Sequence, residues 1–250
     1  MKQHKSVLQL FVRSSFLQVL AVCVLVSLSE CIQFFRTWER LNEQYLAEEL
    51  RFLTLEGILE EGNFFNWFII GSGIVTMFLI RTGRNAGGRQ EYTLYRLQIE
   101  PKYVFLWQAV YNCCCYFIFW AVQVVVVFCL SLYFVRTADA ELVTNQSLFL
   151  AFYRSDYLHA LLPLEHITGW IRNVTWFLAL GSATAHDVYA TRLGKHSIWM
   201  WLVLVFGYFN FAKGLEEASG FGLAIVLYVA VLLGINGVVL LEGKWTVDGE

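Results

Sequence analysis

The stretch from Val104 to Val135 contains no Asp, Glu, Lys or Arg residue. A helix needs roughly 20 consecutive apolar residues to cross the hydrocarbon core of a bilayer. This stretch therefore predicts a membrane-spanning helix. Because it is longer than one crossing requires, we expect part of it to lie at the interface or beyond the core.

Five further apolar stretches accompany it, and the whole chain is poor in charge. Only 15% of its residues are charged and 58% are hydrophobic, whereas a soluble domain carries roughly 25% charged residues. We predict an all-α integral membrane protein with a single transmembrane domain over residues 1–250. Its six spans are predicted at about 15–35, 64–80, 104–135, 167–185, 197–212 and 220–241. The first stretch lacks a small-residue cleavage site, so we expect a retained helix rather than a signal peptide.

The basic residues of the loops indicate how these spans are oriented. The loop between spans two and three, residues 81–103, concentrates Arg81, Arg84, Arg89, Arg96 and Lys102. Short loops rich in Lys and Arg stay on the cytoplasmic side of a membrane. We therefore expect this loop and both chain termini to be cytoplasmic.

Two of the loops expected on the outer side have amphipathic patterns. Leucines recur at helical spacing between Glu43 and Glu60, which predicts a short helix there. Another short helix is predicted from Ser147 to Leu162, ending near Pro163. Neither loop has room for a soluble domain.

Motifs for nucleotide, metal or nucleic-acid chemistry are incomplete or missing from the sequence. The nearest approach to a phosphate-binding loop, Gly237 to Lys244, has the wrong spacing, and Trp245 stands where a magnesium-binding Ser or Thr belongs. No Cys or His spacing fits zinc. The formal net charge of -2 provides no basic balance for nucleic acid. We expect this chain to bind neither a metal ion nor ATP itself.

One polar cluster leaves an enzymatic alternative open. His186, Asp187 and His196 fall around the cytoplasmic end of span four and the loop that follows. They could serve a membrane-embedded enzyme that modifies lipids. An interfacial polar loop, with Arg192 and Lys195 reaching the headgroups, accounts for the same residues.

Polar side chains inside the spans are functional candidates because burying them in lipid is costly. Glu30 and Arg172 lie near the outer ends of spans one and four, where each could reach the headgroups or pair with the other. Gln108, Asn112 and Gln123 add polarity to span three. These amides could line a path or form hydrogen bonds between helices.

The loop 81–103 has the most informative local pattern. Gly83, Gly87 and Gly88 interrupt the helix of span two. A short amphipathic helix is predicted from Arg89 to Gln98, and Pro101 suits the first turn of the helix that follows. An ordinary basic loop lying on anionic lipid would have a similar composition.

This loop contains the run Gly87-Gly88-Arg89-Gln90-Glu91-Tyr92-Thr93-Leu94-Tyr95-Arg96-Leu97. The run resembles the cytoplasmic coupling helix between spans two and three in the type-2 permeases of bacterial ABC exporters. The predicted layout of six spans with both termini inside is similar to that family as well.

The resemblance implies a non-enzymatic permease subunit of an ATP-driven exporter in the bacterial plasma membrane. A separate ABC ATPase would bind ATP and Mg²⁺, and a second permease subunit, identical or different, would complete the path. The contacts with the ATPase would be made by Gly87, Gly88, Arg89, Glu91, Tyr92, Leu94, Tyr95, Arg96 and Leu97.

Overall fold

The computed structural model describes residues 2–47, 54–84, 99–138, 145–164, 167–195, 197–212 and 218–245. These residues form helices and connecting turns, with no strand among them. The helices are α1 (Lys2–Leu46), α2 (Leu55–Glu61), α3 (Phe64–Arg84), α4 (Pro101–Thr137), α5 (Asn145–Arg154), α6 (Asp156–Leu161), α7 (Ile167–Arg192), α8 (Trp199–Ala212) and α9 (Ala218–Trp245). The predicted all-α architecture is confirmed for this part of the chain.

Four of the described helices are long and apolar enough to cross a membrane: α1, α3, α4 and α9. Their outward faces carry large apolar side chains. Leu17 of α1 is 78% exposed, and Leu233 of α9 is 70% exposed. Large exposed apolar faces on helices of this length indicate a surface that lies against the lipid of a membrane. The chain is therefore a multi-pass membrane protein.

Five of the six predicted spans belong to longer helices, and α1 and α4 are the longest of these. α1 continues past the predicted boundary at residue 35 to Leu46, and α4 is one uninterrupted helix of 37 residues. At 1.5 Å per residue α4 is about 55 Å long, well beyond one bilayer crossing. The far ends of the two helices pack together, with the rings of Trp38 and Phe134 5.1 Å apart.

α7 lies at the centre of the bundle, where it contacts α3, α4, α8 and α9. Its approach to α4 depends on Gly181. A Cβ atom at this position would stand 2.4 Å from Sγ of Cys113 and 2.8 Å from the Cys113 backbone nitrogen. Small residues of this kind let membrane helices pack closely.

Three short helices, α2, α5 and α6, lie at one end of the bundle, which we call the capped end. The single helix predicted over residues 147–162 is wrong, because the chain breaks between α5 and α6 at Ser155. The Ser155 hydroxyl accepts a hydrogen bond from the backbone N–H of Leu158 at 3.5 Å and so caps α6.

The helix predicted between Glu43 and Glu60 is also divided in the structure. α1 supplies its first part, up to Leu46, and α2 supplies its last part. Thr54 caps α2 by accepting a hydrogen bond from the backbone of Gly57 at 3.3 Å. The leucine spacing thus identified residues that are helical but not the position, Leu55, at which a separate helix begins.

The opposite end of the bundle is the basic end, defined by Arg81, Lys102 and Arg192. α3 and α7 finish there, and α4 and α8 begin there. Pro101 occupies the first turn of α4, as the sequence predicted. Residues 85–98, which lie outside the described ranges, follow α3 and precede α4 in the sequence.

Candidate functional site

Two tyrosines of α4, Tyr111 and Tyr116, connect this helix to two other helices through buried hydroxyl groups. The hydroxyls of Tyr111 and Ser15 are 2.8 Å apart, which joins α4 to α1. The hydroxyls of Tyr116 and Thr76 are 2.7 Å apart, which joins α4 to α3. In an apolar environment such contacts between helices stabilise the bundle.

Two of the three amides predicted as site residues lie toward the basic end of α4. Asn112 donates a hydrogen bond to the hydroxyl of Thr184 on α7 at 2.9 Å. Gln108 is buried and lines, together with Thr82, Gly83 and Asn112, a cavity of about 10 Å³. That volume corresponds to about one water molecule. Asn112 therefore makes a contact between helices, and Gln108 faces a small polar space.

Glu30 and Gln123 form a polar pair between α1 and α4, and both side chains are 0% exposed. When the nitrogen of Gln123 faces the carboxylate, it donates to Oε2 of Glu30 at 2.8 Å and also to Oε1. Along α4, Gln123 lies about 20 Å from Arg136 and about 32 Å from Lys102. Glu30 is thus held inside the bundle and does not extend to the headgroups.

Arg172 of α7 is 2% exposed and binds the end of α6. Its guanidinium donates to the carbonyl of Ala160 at 3.0 Å and to Oδ1 of Asn173 at 2.8 and 3.1 Å. Asn173 in turn donates to the same Ala160 carbonyl at 2.9 Å. The Glu30–Arg172 pair considered from the sequence does not form, because each side chain has other partners.

These contacts satisfy a helix that ends inside the protein. Trp120 adds a hydrogen bond from Nε1 to the carbonyl of Leu161 at 3.1 Å. Trp120 lies about 27 Å along α4 from Lys102, near the middle of that helix. Buried backbone carbonyls need internal partners, and the Arg172 cation also complements the negative end of α6. Asn173 and Trp120 are not predicted as site residues from the sequence, where the helix break before Pro163 is the signal that points to unpaired carbonyl groups.

The ends of α3, α4 and α7 meet at the basic end. A Cβ atom on Gly83 of α3 would stand 2.6 Å from a Val188 methyl group of α7. Arg192 donates to the carbonyl of Gly83 at 3.4 Å. The rings of Phe105 on α4 and Tyr189 on α7 are 5.9 Å apart. Both helices that flank residues 85–98 are therefore held against the last turns of α7.

The residues predicted to contact an ATPase lie outside the described part of the chain. They are Gly87, Gly88, Arg89, Glu91, Tyr92, Leu94, Tyr95, Arg96 and Leu97. On either side of them, Arg81 is exposed, and Lys102 forms an ion pair with Glu100. The predicted helix from Arg89 to Gln98 therefore stays a prediction.

Two residues of the enzymatic alternative, His186 and Asp187, lie on the last turns of α7. Nδ1 of His186 and the hydroxyl of Ser197 are 3.0 Å apart, which connects α7 to the segment before α8. Asp187 is buried at 3% exposure, and His196 lies outside the described residues. Within the described ranges, no group of three or more His, Cys, Asp or Glu side chains is placed to hold a metal ion.

A cleft of about 170 Å³ opens at the capped end. It is lined by Leu59, Glu60, Asn63, Phe64, Phe65, Asn66, Asp156 and Tyr157. Partial burial, followed by the negative charges of Asp156 and Glu56, raises the pKa of the Glu60 carboxyl group. This cleft is therefore acidic and polar at its mouth.

A larger groove of about 710 Å³ lies between α3 and α8. Apolar side chains, among them Met77, Met200 and Leu204, form most of its lining, and Arg81 supplies a cation. Gly73 also lines it, and a Cβ atom at Gly73 would meet nothing within 4 Å. The two helices are thus loosely packed toward the basic end.

Comparison of the chain with protein-family models, curated proteins and solved structures gives no match. The function is therefore inferred from the residues and contacts of this chain.

Proposed function

We propose that this chain is a permease subunit of an ATP-driven ABC exporter. Its six spans are α1, α3, α4, α7, α8 and α9, and both termini and the loop 85–98 lie in the cytoplasm. A separate ATPase binds ATP and Mg²⁺ and docks on this loop. A second permease subunit, identical or different, completes the path in the bacterial plasma membrane.

The convergence of α3, α4 and α7 at the basic end is the observation that carries this proposal. Gly83 and Phe105, which stand before and after the loop 85–98, both contact the last turns of α7. A displacement of the loop is therefore transmitted to three helices together. Because α7 also contacts α8 and α9, the movement reaches most of the bundle.

α7 and α8 are the two spans that length and composition alone do not identify. α7 has 26 residues and is about 39 Å long, which exceeds the roughly 30 Å of a hydrocarbon core. α8 has 14 residues and is about 21 Å long, but it packs against α6 at the capped end. Trp176 of α7 donates to the carbonyl of Val203 at 3.1 Å, which places α8 beside the central helix.

The charges at the two ends support the proposed orientation. Arg81 and Arg192 lie at the basic end beside a loop with further arginines. At the capped end, Arg40 forms an ion pair with Glu61, and Arg154 lies 3.8 Å from Glu56. Between residues 81 and 102 the chain concentrates Arg81, Arg84, Arg89, Arg96 and Lys102. The rule that short loops rich in Lys and Arg face the cytoplasm therefore assigns the basic end to that side, and the acidic partners at the capped end do not enter it.

Affinity purification of the tagged chain from its native membrane tests the proposal. Recovered ATPase subunits are quantified by photolabelling with a nucleotide analogue, together with ATP hydrolysis. Glu91→Ala and Arg96→Ala should each lower the recovery at least tenfold, because truncating one member of a buried charged contact costs about 2–5 kcal/mol. Arg40→Ala at the capped end is the matched control and should leave the recovery unchanged.

Three results would contradict the proposal in different ways. Absence of an ATPase from the wild-type preparation contradicts the exporter assignment. Normal recovery with the double variant excludes the loop as the docking element. If the loop only binds anionic lipid, Arg96→Ala weakens membrane association slightly, Glu91→Ala strengthens it, and neither changes ATPase recovery.

A further inference from the structure

Glu30 occupies a buried site between α1 and α4. Its side chain is fully buried, and Gln123 of α4 is its hydrogen-bond partner. The rings of Phe64 and Phe68 on α3 contact the ring of Tyr157 of α6. The same two rings also contact Phe34, one turn from Glu30, and Phe119, one turn from Gln123. Within the described part of the chain Glu30 makes no ion pair, and Arg172 of α7 binds Ala160 and Asn173.

The other titratable groups around this site are weak acids. Cys31 follows Glu30 on α1, and Cys129 of α4 lies near Cys31. From α3, the apolar rings of Phe64 and Phe68 pack against Tyr157. On α9, Tyr228 lies beside Arg172. Among the described residues no cation pairs with this buried carboxylate, and such an environment favours binding of a proton.

The amide of Gln123 can serve both states of the carboxyl group. With its nitrogen facing Glu30, it donates to the ionised carboxylate. After a half-turn about the last side-chain bond, its carbonyl oxygen occupies the same place and accepts the O–H of a protonated Glu30. Because the amide has the same shape in both orientations, this exchange requires no movement of the helices.

The Tyr157 hydroxyl connects this site to the capped end. Tyr157 is 4% exposed, and its hydroxyl has no hydrogen-bond partner among the described atoms. A buried hydroxyl without a partner is unfavourable, and an ionised Glu30 would offer it an acceptor. Tyr157 also lines the acidic cleft that contains Glu60 and Asp156. Tyr157 therefore connects the cleft to the phenylalanine rings that pack beside Glu30 and Gln123.

We propose that Glu30 is a reversible proton-binding site that exchanges with the capped end past Tyr157. On release, the proton passes from the carboxyl group to water in the cleft, Gln123 turns its N–H toward the carboxylate, and Tyr157 donates its O–H to the same group. Because Tyr157 is part of α6, the proton occupancy of Glu30 affects the position of that helix. The site does not depend on the exporter proposal.

Infrared difference spectra of the purified chain in lipid nanodiscs, recorded across a pH titration, test this proposal. At a pH where exposed carboxyl groups are ionised, the wild type should still show the carbonyl band of one protonated carboxyl group, and this band should disappear reversibly as the pH rises further. Glu30→Gln should lack the band, while Glu39→Gln, an exposed position on the same helix, should keep it. Tyr157→Phe removes a donor to the ionised state, so the band should persist to a pH higher by about one unit.

A band that is absent at every pH, or present at every pH, overturns the proposal. A titration that Tyr157→Phe leaves unchanged excludes Tyr157 as the donor and with it the proposed connection to the cleft. Glu30→Gln is neutral and nearly the same size, so it should elute from gel filtration like the wild type. If it does not, the shift caused by Tyr157→Phe still decides the question, because that variant keeps Glu30.

Discussion

The two ends of the bundle close in different ways. At the capped end, the short helix α6 finishes between long helices, and its carbonyl groups are satisfied by Arg172, Asn173 and Trp120. At the basic end, α3 carries the exposed Arg81, and a groove of about 710 Å³ separates it from α8. Closing a membrane bundle requires internal partners for its backbone.

This difference fits the two proposals. An end where the last carbonyl groups of α6 are hydrogen-bonded to neighbouring helices can shield a proton site such as Glu30 from the bilayer. At the basic end, helices end in cationic side chains such as Arg81, and a groove separates α3 from α8. Such an end can bind a partner protein and transmit its movement to the helices. The following variants test whether the structural difference has the energetic consequences expected of it.

The largest effect is expected at Arg172. Arg172→Leu removes the charged hydrogen bonds to Ala160 and Asn173, each of a kind worth about 1.5–3 kcal/mol, so unfolding should require about 3 kcal/mol less. Arg81→Leu is the matched variant at the basic end and should stay within about 0.5 kcal/mol of the wild type. Chemical unfolding in detergent measures both. Equal losses would show that the two ends do not differ in this respect.

Replacing either of two glycines by alanine should change the free energy of unfolding by an intermediate amount, with opposite signs at the two ends of the bundle. At the capped end, a Cβ atom on Gly169 would stand 2.5 Å from the Pro163 ring, so Gly169→Ala should lower stability by about 1–3 kcal/mol. In the open groove, Gly73→Ala meets nothing within 4 Å and should raise stability by about 0.5–1 kcal/mol. Thermal unfolding of the two variants provides the comparison. A stabilised Gly169→Ala variant would mean that Pro163 is not fixed.

The smallest effect is expected at Glu60 and depends on pH. Burial and the charges of Asp156 and Glu56 raise the pKa of this carboxyl group, so the folded state holds its proton more tightly than the unfolded state. Stability should therefore fall as pH rises from the ordinary range of a carboxyl group through the raised pKa. Glu60→Gln should remove this fall and leave the stability at low pH unchanged. An identical pH profile for the variant and the wild type would contradict the acidic character of the cleft.

The sequence predicts the apolar helices well because bilayer thickness fixes a minimum length for them. The stretch 64–80 lies within α3, and the uncharged stretch 104–135 lies within α4. The same composition does not reveal where a helix continues outside the core, so α1 extends beyond residue 35. The break between α5 and α6 is marked by one helix cap, the hydroxyl of Ser155. Hydrophobic periodicity does not reveal this break, because it depends on the spacing of apolar residues and not on capping groups.

The candidate site could be predicted as a set of residues but not as a set of pairs. Glu30 and Arg172 were conspicuous because charged residues are rare in spans. Their partners, Gln123 on α4 and the carbonyl of Ala160 at the end of α6, are set by which helices are neighbours. One sequence carries little information about neighbouring helices, because every lipid-compatible face is apolar. The coupling residues 87–97 stay a prediction.

Accessibility labelling of single cysteines tests most directly the claim that the basic end faces the cytoplasm. Glu48→Cys and Gln90→Cys are introduced separately into a variant without the native cysteines. In intact cells, a membrane-impermeant maleimide should label Glu48→Cys, whereas Gln90→Cys should react only after the membrane is permeabilised. Labelling of Gln90→Cys from outside, with protection of Glu48→Cys, would contradict both the orientation and the docking of an ATPase on the loop 85–98.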